Sequence, residues 1–121
     1  MIRTVITAAL LAGIATAASA ADPAAGEKIF KAQCGICHSP VAGKNVIGPS
    51  LFGVVGRKAG SVPGFLYSSA NQNSGITWDN AILDKYLTNP REVVPGTKMT
   101  YADLKDDAQR ADVIAYLDTL H

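Results

Sequence analysis

Two cysteines, two histidines, two methionines and one tryptophan are all that this chain of 121 residues has of the scarcer functional side chains. The poverty of sulfur and imidazole is informative. A structural zinc site takes four Cys or His ligands, and the whole chain offers only Cys34, Cys37, His38 and His121. Charge of one sign is also lacking: eleven Lys and Arg stand against ten Asp and Glu. Such a balance leaves no basic footprint of the kind nucleic-acid binding needs. Long hydrophobic runs are missing as well. The longest, Val5 to Ile14, falls short of the about 20 residues that span a bilayer.

What that run does fit is an export signal. Arg3 supplies the positive start, and Ala18-Ser19-Ala20 provides a small-x-small cleavage site. Residues 1–20 are therefore expected to be a cleavable secretory signal peptide, and 21–121 a single domain of about 100 residues. The mature chain is expected in a bacterial periplasm, not inserted in the membrane and monomeric. An uncleaved leader acting as an anchor is the alternative. Loss of Arg3 with the leader reduces the basic residues from eleven to ten, matching the ten acidic ones.

The two cysteines are placed three apart and followed at once by a histidine: Cys34-Gly35-Ile36-Cys37-His38. Two thiols at this spacing can reach the two vinyl groups of one haem, and the adjoining histidine then falls beneath the iron. A redox dithiol would instead follow a β-strand in a βαβ pattern, whereas Ala24 to Gln33 reads as helix. A plain disulfide would leave the tight spacing and the histidine unexplained. One covalently attached haem c is the expected cofactor.

Around this motif the pattern is helical, with long loops. Asp22-Pro23 is a helix start, an N-cap followed by proline at the first helical position, and Ala25, Ile29 and Phe30 share one face of the helix it opens. From Ser39 to Ile76 the chain is rich in Gly, Pro, Ser and Asn without sustained period. That length of irregular chain is unusual in a small domain, but a cofactor gives it something to pack against. A short helical turn is expected near Ser68 to Asn73. Asp79 caps a helix with Ile82, Leu83, Tyr86 and Leu87 on its apolar face. Asn89-Pro90 ends that helix and starts a short one reaching Val94, and Pro95-Gly96-Thr97 is a turn. Asp106 and Gln109 are spaced as in a capping box, ahead of a last helix with the stripe Val113, Tyr116, Leu117 and Leu120. No strand is convincing.

If His38 holds one face of the iron, the other needs a ligand. The mature chain has a single methionine, Met99, on the Pro95-Gly96-Thr97-Lys98 turn, which can present it inward. His121 is the only competing imidazole, and a terminal residue is poorly placed to be held. A His38/Met99 pair raises the redox potential and closes both axial positions, which points to one-electron transfer.

With these residues in view the chain resembles class I cytochrome c, the family of mitochondrial cytochrome c and its soluble bacterial counterparts. The likeness is carried by Cys34 to His38, Gly48-Pro49-Ser50-Leu51, Gly56-Arg57-Lys58, Pro63-Gly64-Phe65, Gly75-Ile76-Thr77-Trp78, Tyr86-Leu87, Asn89-Pro90, Pro95 to Met99 and Ile114-Ala115-Tyr116-Leu117. They follow the family's order and cover nearly all of the mature chain. The resemblance implies an all-α, small cytochrome c fold wrapped around one covalent haem. It implies thioethers at Cys34 and Cys37, axial ligands His38 and Met99, and the Pro49 carbonyl as acceptor for the histidine ring. Tyr86, Thr97 and Asn71 match a polar cluster near the methionine. Arg57, Tyr67 and Trp78 match residues around the inner haem propionate, and Gly26, Phe30 and Tyr116 match a crossing of the first and last helices.

Two departures stand out. The leader is unlike mitochondrial cytochrome c. Gln33, Val46, Glu92 and Asp106 occupy positions where the family often has lysine, whereas Lys28, Lys44, Arg91, Lys98 and Lys105 match its basic ring. Partners are expected to be redox proteins, a quinol–cytochrome c reductase or dehydrogenase on one side and a terminal oxidase or other acceptor on the other. No substrate in the enzymatic sense is expected. The reading from another class is a gas-binding or peroxidatic haem protein with a labile sixth ligand, of which replacement of Met99 by Lys98 is a milder form.

Overall fold

The computed structural model describes residues 12–13 and 20–121. The expected leader, apart from Ala12, Gly13 and Ala20, lies outside the described residues.

Among the described residues five helices follow one another: α1 Pro23–Gln33, α2 Ser69–Gln72, α3 Asn80–Thr88, α4 Pro90–Val93 and α5 Asp107–Asp118. Each start has a local cause. Asp22 accepts from the Ala24 N–H at 2.9 Å and Pro23 takes the first helical position. Ser68 accepts from Asn71 N–H, Asp79 from Ile82 N–H and Asp106 from Gln109 N–H, at 3.1, 2.8 and 2.9 Å. Each of these bonds satisfies one of the orphan donors of a first turn. Asn89 ends α3, and Pro90 opens α4.

The first and last helices cross and form the frame of the molecule. Gly26 is buried there, and a Cβ on it would lie 1.9 Å from the Asp112 carbonyl oxygen, so only glycine allows so close an approach. One turn on, Phe30 and Tyr116 pack with ring centroids 5.3 Å apart. Asp112 also accepts from the Asp22 N–H at 2.7 Å, tying the start of α1 to the middle of α5. Burying a side chain such as Phe30 contributes about 1.5–3 kcal/mol.

On α5 the apolar stripe differs from the expected one. Leu120 lies past the end of the helix and is only partly buried, while Ile114 and the charged Arg110 are buried. The reason for Arg110 is a set of three hydrogen-bond partners, described below.

The irregular stretch is held by turns and by one short pairing. Among the described residues the only β-type pairing is an isolated antiparallel bridge between Lys58 and Thr77. Trp78 N–H donates to Arg57 C=O at 2.9 Å, Gly56 N–H to Trp78 C=O at 2.7 Å and Ala59 N–H to Ile76 C=O at 2.8 Å. This pairing, which no sequence period announces, sets Arg57 beside Trp78. No helix among the described residues is long and apolar enough to cross a membrane.

Candidate haem site

Helix α1 delivers the attachment motif directly. Its hydrogen bonding continues past Gln33 as a turn: Cys34 N–H reaches Phe30 C=O, and the N–H groups of Cys37 and His38 both reach Cys34 C=O, at 3.0 and 2.9 Å. The turn brings Cys34, Cys37 and His38 to one cavity of about 290 Å³. Burial, with Cys37 alongside, pushes the Cys34 thiol up to about 11. A thiol so reluctant to ionise is a poor redox nucleophile at neutral pH. Among the described residues no three His, Cys, Asp or Glu side chains gather as a metal site either.

The imidazole of His38 is fixed from two directions. Its Nδ1–H donates to the Pro49 carbonyl at 2.8 Å, which leaves the Nε2 lone pair free to bind a metal. Gly48 lies flat against the ring, where a Cβ would come within 2.3 Å of Cε1 and 2.8 Å of Nε2. Gly48 is itself placed by donating its N–H to Cys37 C=O at 2.7 Å. Burial is the main influence on the ring's basicity and lowers it; the Pro49 bond opposes this and nearby Arg57 adds to it. The ring is therefore neutral, the form that ligates metals.

Met99 reaches the same cavity from the other end of the chain. The turn before it closes through Thr97 N–H to Val94 C=O at 3.0 Å, with Gly96 at φ 88°. Thr97 Oγ1 then accepts from Met99 N–H at 3.2 Å, and Tyr86 Oη–H donates to Met99 Sδ at 3.2 Å. Thr97 Oγ1 is a second neighbour of the Tyr86 hydroxyl at 3.4 Å. Burial raises the Tyr86 phenol above its usual range, so it stays a donor to the sulfur.

A third group of side chains is polar, with Trp78 buried and Arg57, Tyr67 and Asn71 half-buried. Arg57 donates through Nη1 to the carbonyls of Ser50 and Phe52 at 2.9 and 3.1 Å, leaving further donors of its guanidinium uncommitted to them. Tyr67 Oη accepts from Val62 N–H at 3.1 Å, so its own proton is free to donate. Trp78 packs edge-on to Tyr86 with centroids 4.8 Å apart. Asn71 Oδ1 is buried with no hydrogen-bond partner. An unpaired buried amide of this kind costs about 1–3 kcal/mol and marks a place where a polar group of a ligand belongs; turned over, the amide presents two N–H donors to an anion.

All eleven residues singled out in the sequence (Cys34, Cys37, His38, Pro49, Arg57, Tyr67, Asn71, Trp78, Tyr86, Thr97 and Met99) line this one cavity. Leu51, Val54, Leu83, Leu87, Val113 and Leu117 complete it with apolar surface. A flat apolar ring carrying a metal and two carboxylates fits that lining: two thiols, an imidazole and a thioether for attachment and ligation, aliphatic walls for the ring, and donors for the acid groups. The competing imidazole is elsewhere. His121 is exposed, its Nδ1 2.9 Å from Asp118 C=O. Lys98 reaches the cavity's lining but donates its ammonium to Leu66 C=O at 2.8 Å.

The family model for cytochrome c matches residues 23–121. The chain belongs to the cytochrome c family. It is 55% identical to cytochrome c2 of Rhodomicrobium vannielii, over 99% of this chain and 96% of that protein. It is 48% identical to cytochrome c of Euglena viridis, over 82% of this chain and 97% of that one. Among solved structures it is similar to cytochrome cH from Methylobacterium extorquens, with a TM-score of 0.75 and 48% identity over 81% of this chain and 98% of that one. The helices with their long loops are thus the small all-α cytochrome c fold. The C-x-x-C-H motif carries one covalently attached haem c, and the chain is a monohaem electron-transfer protein.

Three residues of the site were not assigned to it from the sequence. Gly48 works by having no side chain. Tyr101 lines the cavity and lies two residues beyond Met99 in chain that has no period. Gln33 meets Tyr101 across 68 residues of sequence, and such a contact is invisible to local patterns.

Proposed function

We propose that this cytochrome is a periplasmic electron shuttle that takes single electrons from a quinol–cytochrome c reductase or a dehydrogenase and passes them to a terminal oxidase or similar acceptor. The observation that carries the reading is the pair formed by His38 and Met99. They reach one cavity from separate parts of the chain, and each is held by its own hydrogen bond, His38 to Pro49 and Met99 from Tyr86.

When bound, the haem would supply a one-electron couple, its iron held by His38 and Met99. The protein's own part is to hold everything else still. Cys34 and Cys37 fix the ring to the end of α1 as thioethers. Pro49 and Gly48 set the plane of the imidazole, so its Nε2 keeps one direction in both oxidation states. The Tyr86 hydroxyl holds the sulfur, and Thr97 holds the Met99 backbone. Thioether ligation favours the ferrous state and raises the potential. Arg57, Tyr67, Trp78 and Asn71 supply donors for the inner propionate, whose charge is costly to bury unpaired. With ligands on both faces there is no open coordination position for a substrate, and the protein is not an enzyme.

Residues 1–20 act as a cleavable export signal in this reading. It is supported by the likeness to the Rhodomicrobium protein, which covers 99% of this chain. Mass spectrometry of the exported protein distinguishes a cleaved leader from an anchor. Carbon monoxide added to the reduced holoprotein tests the closed site. No immediate spectral change is expected, whereas a rapid one shows an open sixth position and replaces the shuttle with a gas-binding or peroxidatic protein.

A further inference from the structure

We propose that Tyr101 and Arg110 are positioning residues for Met99, tethering the segment that follows it at both ends and so limiting how fast the sulfur leaves the iron. The inference rests on the assignment of Met99 as axial ligand made above.

From Met99 to Asp106 the chain has no regular secondary structure, so no helical or strand hydrogen bonding holds the segment past Met99 to the fold. Its far end rejoins the fold at Leu104, which is buried. The Leu104 N–H donates to Leu87 C=O on α3 at 2.8 Å, and its own carbonyl accepts from Arg110 Nη1 at 2.9 Å. Arg110 is the buried charge that the apolar pattern of α5 did not anticipate. Its side chain is 8% exposed, and all three guanidinium nitrogens are engaged. Nε donates to Asp84 of α3 at 2.5 Å, Nη2 to Asp107 at 2.7 Å and Nη1 to Leu104. Three acceptors in different directions suit a planar fork and not the point charge of a lysine. The guanidinium therefore joins α3, α5 and the end of the Met99 segment in one junction.

The near end is tied to α1 by a solvent-exposed bond. Tyr101 lines the cavity and packs against the core. Its hydroxyl donates to Gln33 Oε1 at 2.6 Å. Gln33 is the last residue of α1 and precedes Cys34. This bond links the segment bearing the methionine to the helix bearing the attachment cysteines. It needs an acceptor at position 33, where lysine, a donor only, could not serve.

Imidazole binding to the oxidised holoprotein reads the departure of Met99 directly, because the sulfur must leave before imidazole can bind. Tyr101→Phe, Gln33→Lys and Arg110→Lys are each expected to raise the stopped-flow binding rate roughly three- to tenfold, the range for losing one such hydrogen bond. The Met–iron near-infrared band is expected to persist in all three. The double variant Tyr101→Phe/Gln33→Lys should bind no faster than either single one, since both break the same bond. Asp22→Ala, which removes the cap of α1 far from the segment, is the control. It should lower the denaturant midpoint and leave the imidazole rate unchanged. Parent-like rates in Tyr101→Phe and Arg110→Lys, with the near-infrared band present, overturn the tether while leaving Met99 as ligand. A parent protein that lacks the band and binds imidazole at once overturns the ligation itself, and the tether with it.

Discussion

Replacing Gly26 by alanine sets two effects of opposite sign against each other. In an isolated helix the change is favourable by about 1 kcal/mol, because alanine loses less backbone entropy. Here the new Cβ would lie 1.9 Å from the Asp112 carbonyl oxygen and 2.4 Å from its carbon, where ordinary contact begins at 3.4 Å. The obstacle is backbone, so no side chain can swing aside, and α1 and α5 must part by about 1.5 Å. Overpacking of this kind costs about 1–3 kcal/mol. The same displacement loosens the Phe30–Tyr116 pair at 5.3 Å, worth about 0.5–1.5 kcal/mol more. Sterics outweigh propensity, and the net expectation is a loss of about 1–3 kcal/mol. Guanidinium unfolding of the holoprotein, followed by far-UV circular dichroism, measures it: the midpoint should fall with the slope unchanged. A variant as stable as the parent, or more so, would show that the crossing is not set by the missing side chain.

Other expectations follow from the same reasoning. Gly48→Ala places a methyl group 2.3 Å from His38 Cε1. It should displace the ring, weaken the Pro49 bond by about 1 kcal/mol and disturb the low-spin spectrum; an unaltered spectrum refutes the cradle. With ten basic and ten acidic residues after leader removal, and Gln33 and Val46 in place of lysines, partner electron-transfer rates should fall only gently with ionic strength. A steep fall in a salt titration of the rate contradicts that. Haem-free protein should be poorly folded, since so many apolar walls face the cofactor, and a near-native far-UV spectrum from it would refute this.

Much of the fold was legible because its signals are local. The Asp22-Pro23 start, the Asp79 and Asp106 caps and the Asn89-Pro90 break each act within one helical turn, and each appears where the residues put it. The attachment motif was legible for the same reason, being five consecutive residues. Met99 could be picked out because the mature chain has no other methionine and because the Pro95 to Lys98 turn can present it inward. What was not legible is what pairs at a distance. The bridge that sets Arg57 beside Trp78 joins residues from different loops without any alternating pattern. Arg110 falls in line with Val113 and Leu117 on α5, yet nothing local explains a buried charge there until Asp84 and the Leu104 carbonyl are seen to reach it. Gly48 and the Tyr101–Gln33 bond are likewise products of the tertiary fold. The parts played by Arg57, Tyr67, Asn71 and Trp78 came from the family likeness, since aromatic and amide residues in irregular chain have no pattern of their own.

The central claim is a haem iron closed by His38 and Met99 and poised for one-electron transfer at raised potential. A spectroelectrochemical titration of the purified holoprotein tests it most directly. A single one-electron transition at clearly positive midpoint, with the Met–iron near-infrared band present in the oxidised form, is the predicted result. A strongly negative midpoint, or no such band, would contradict it.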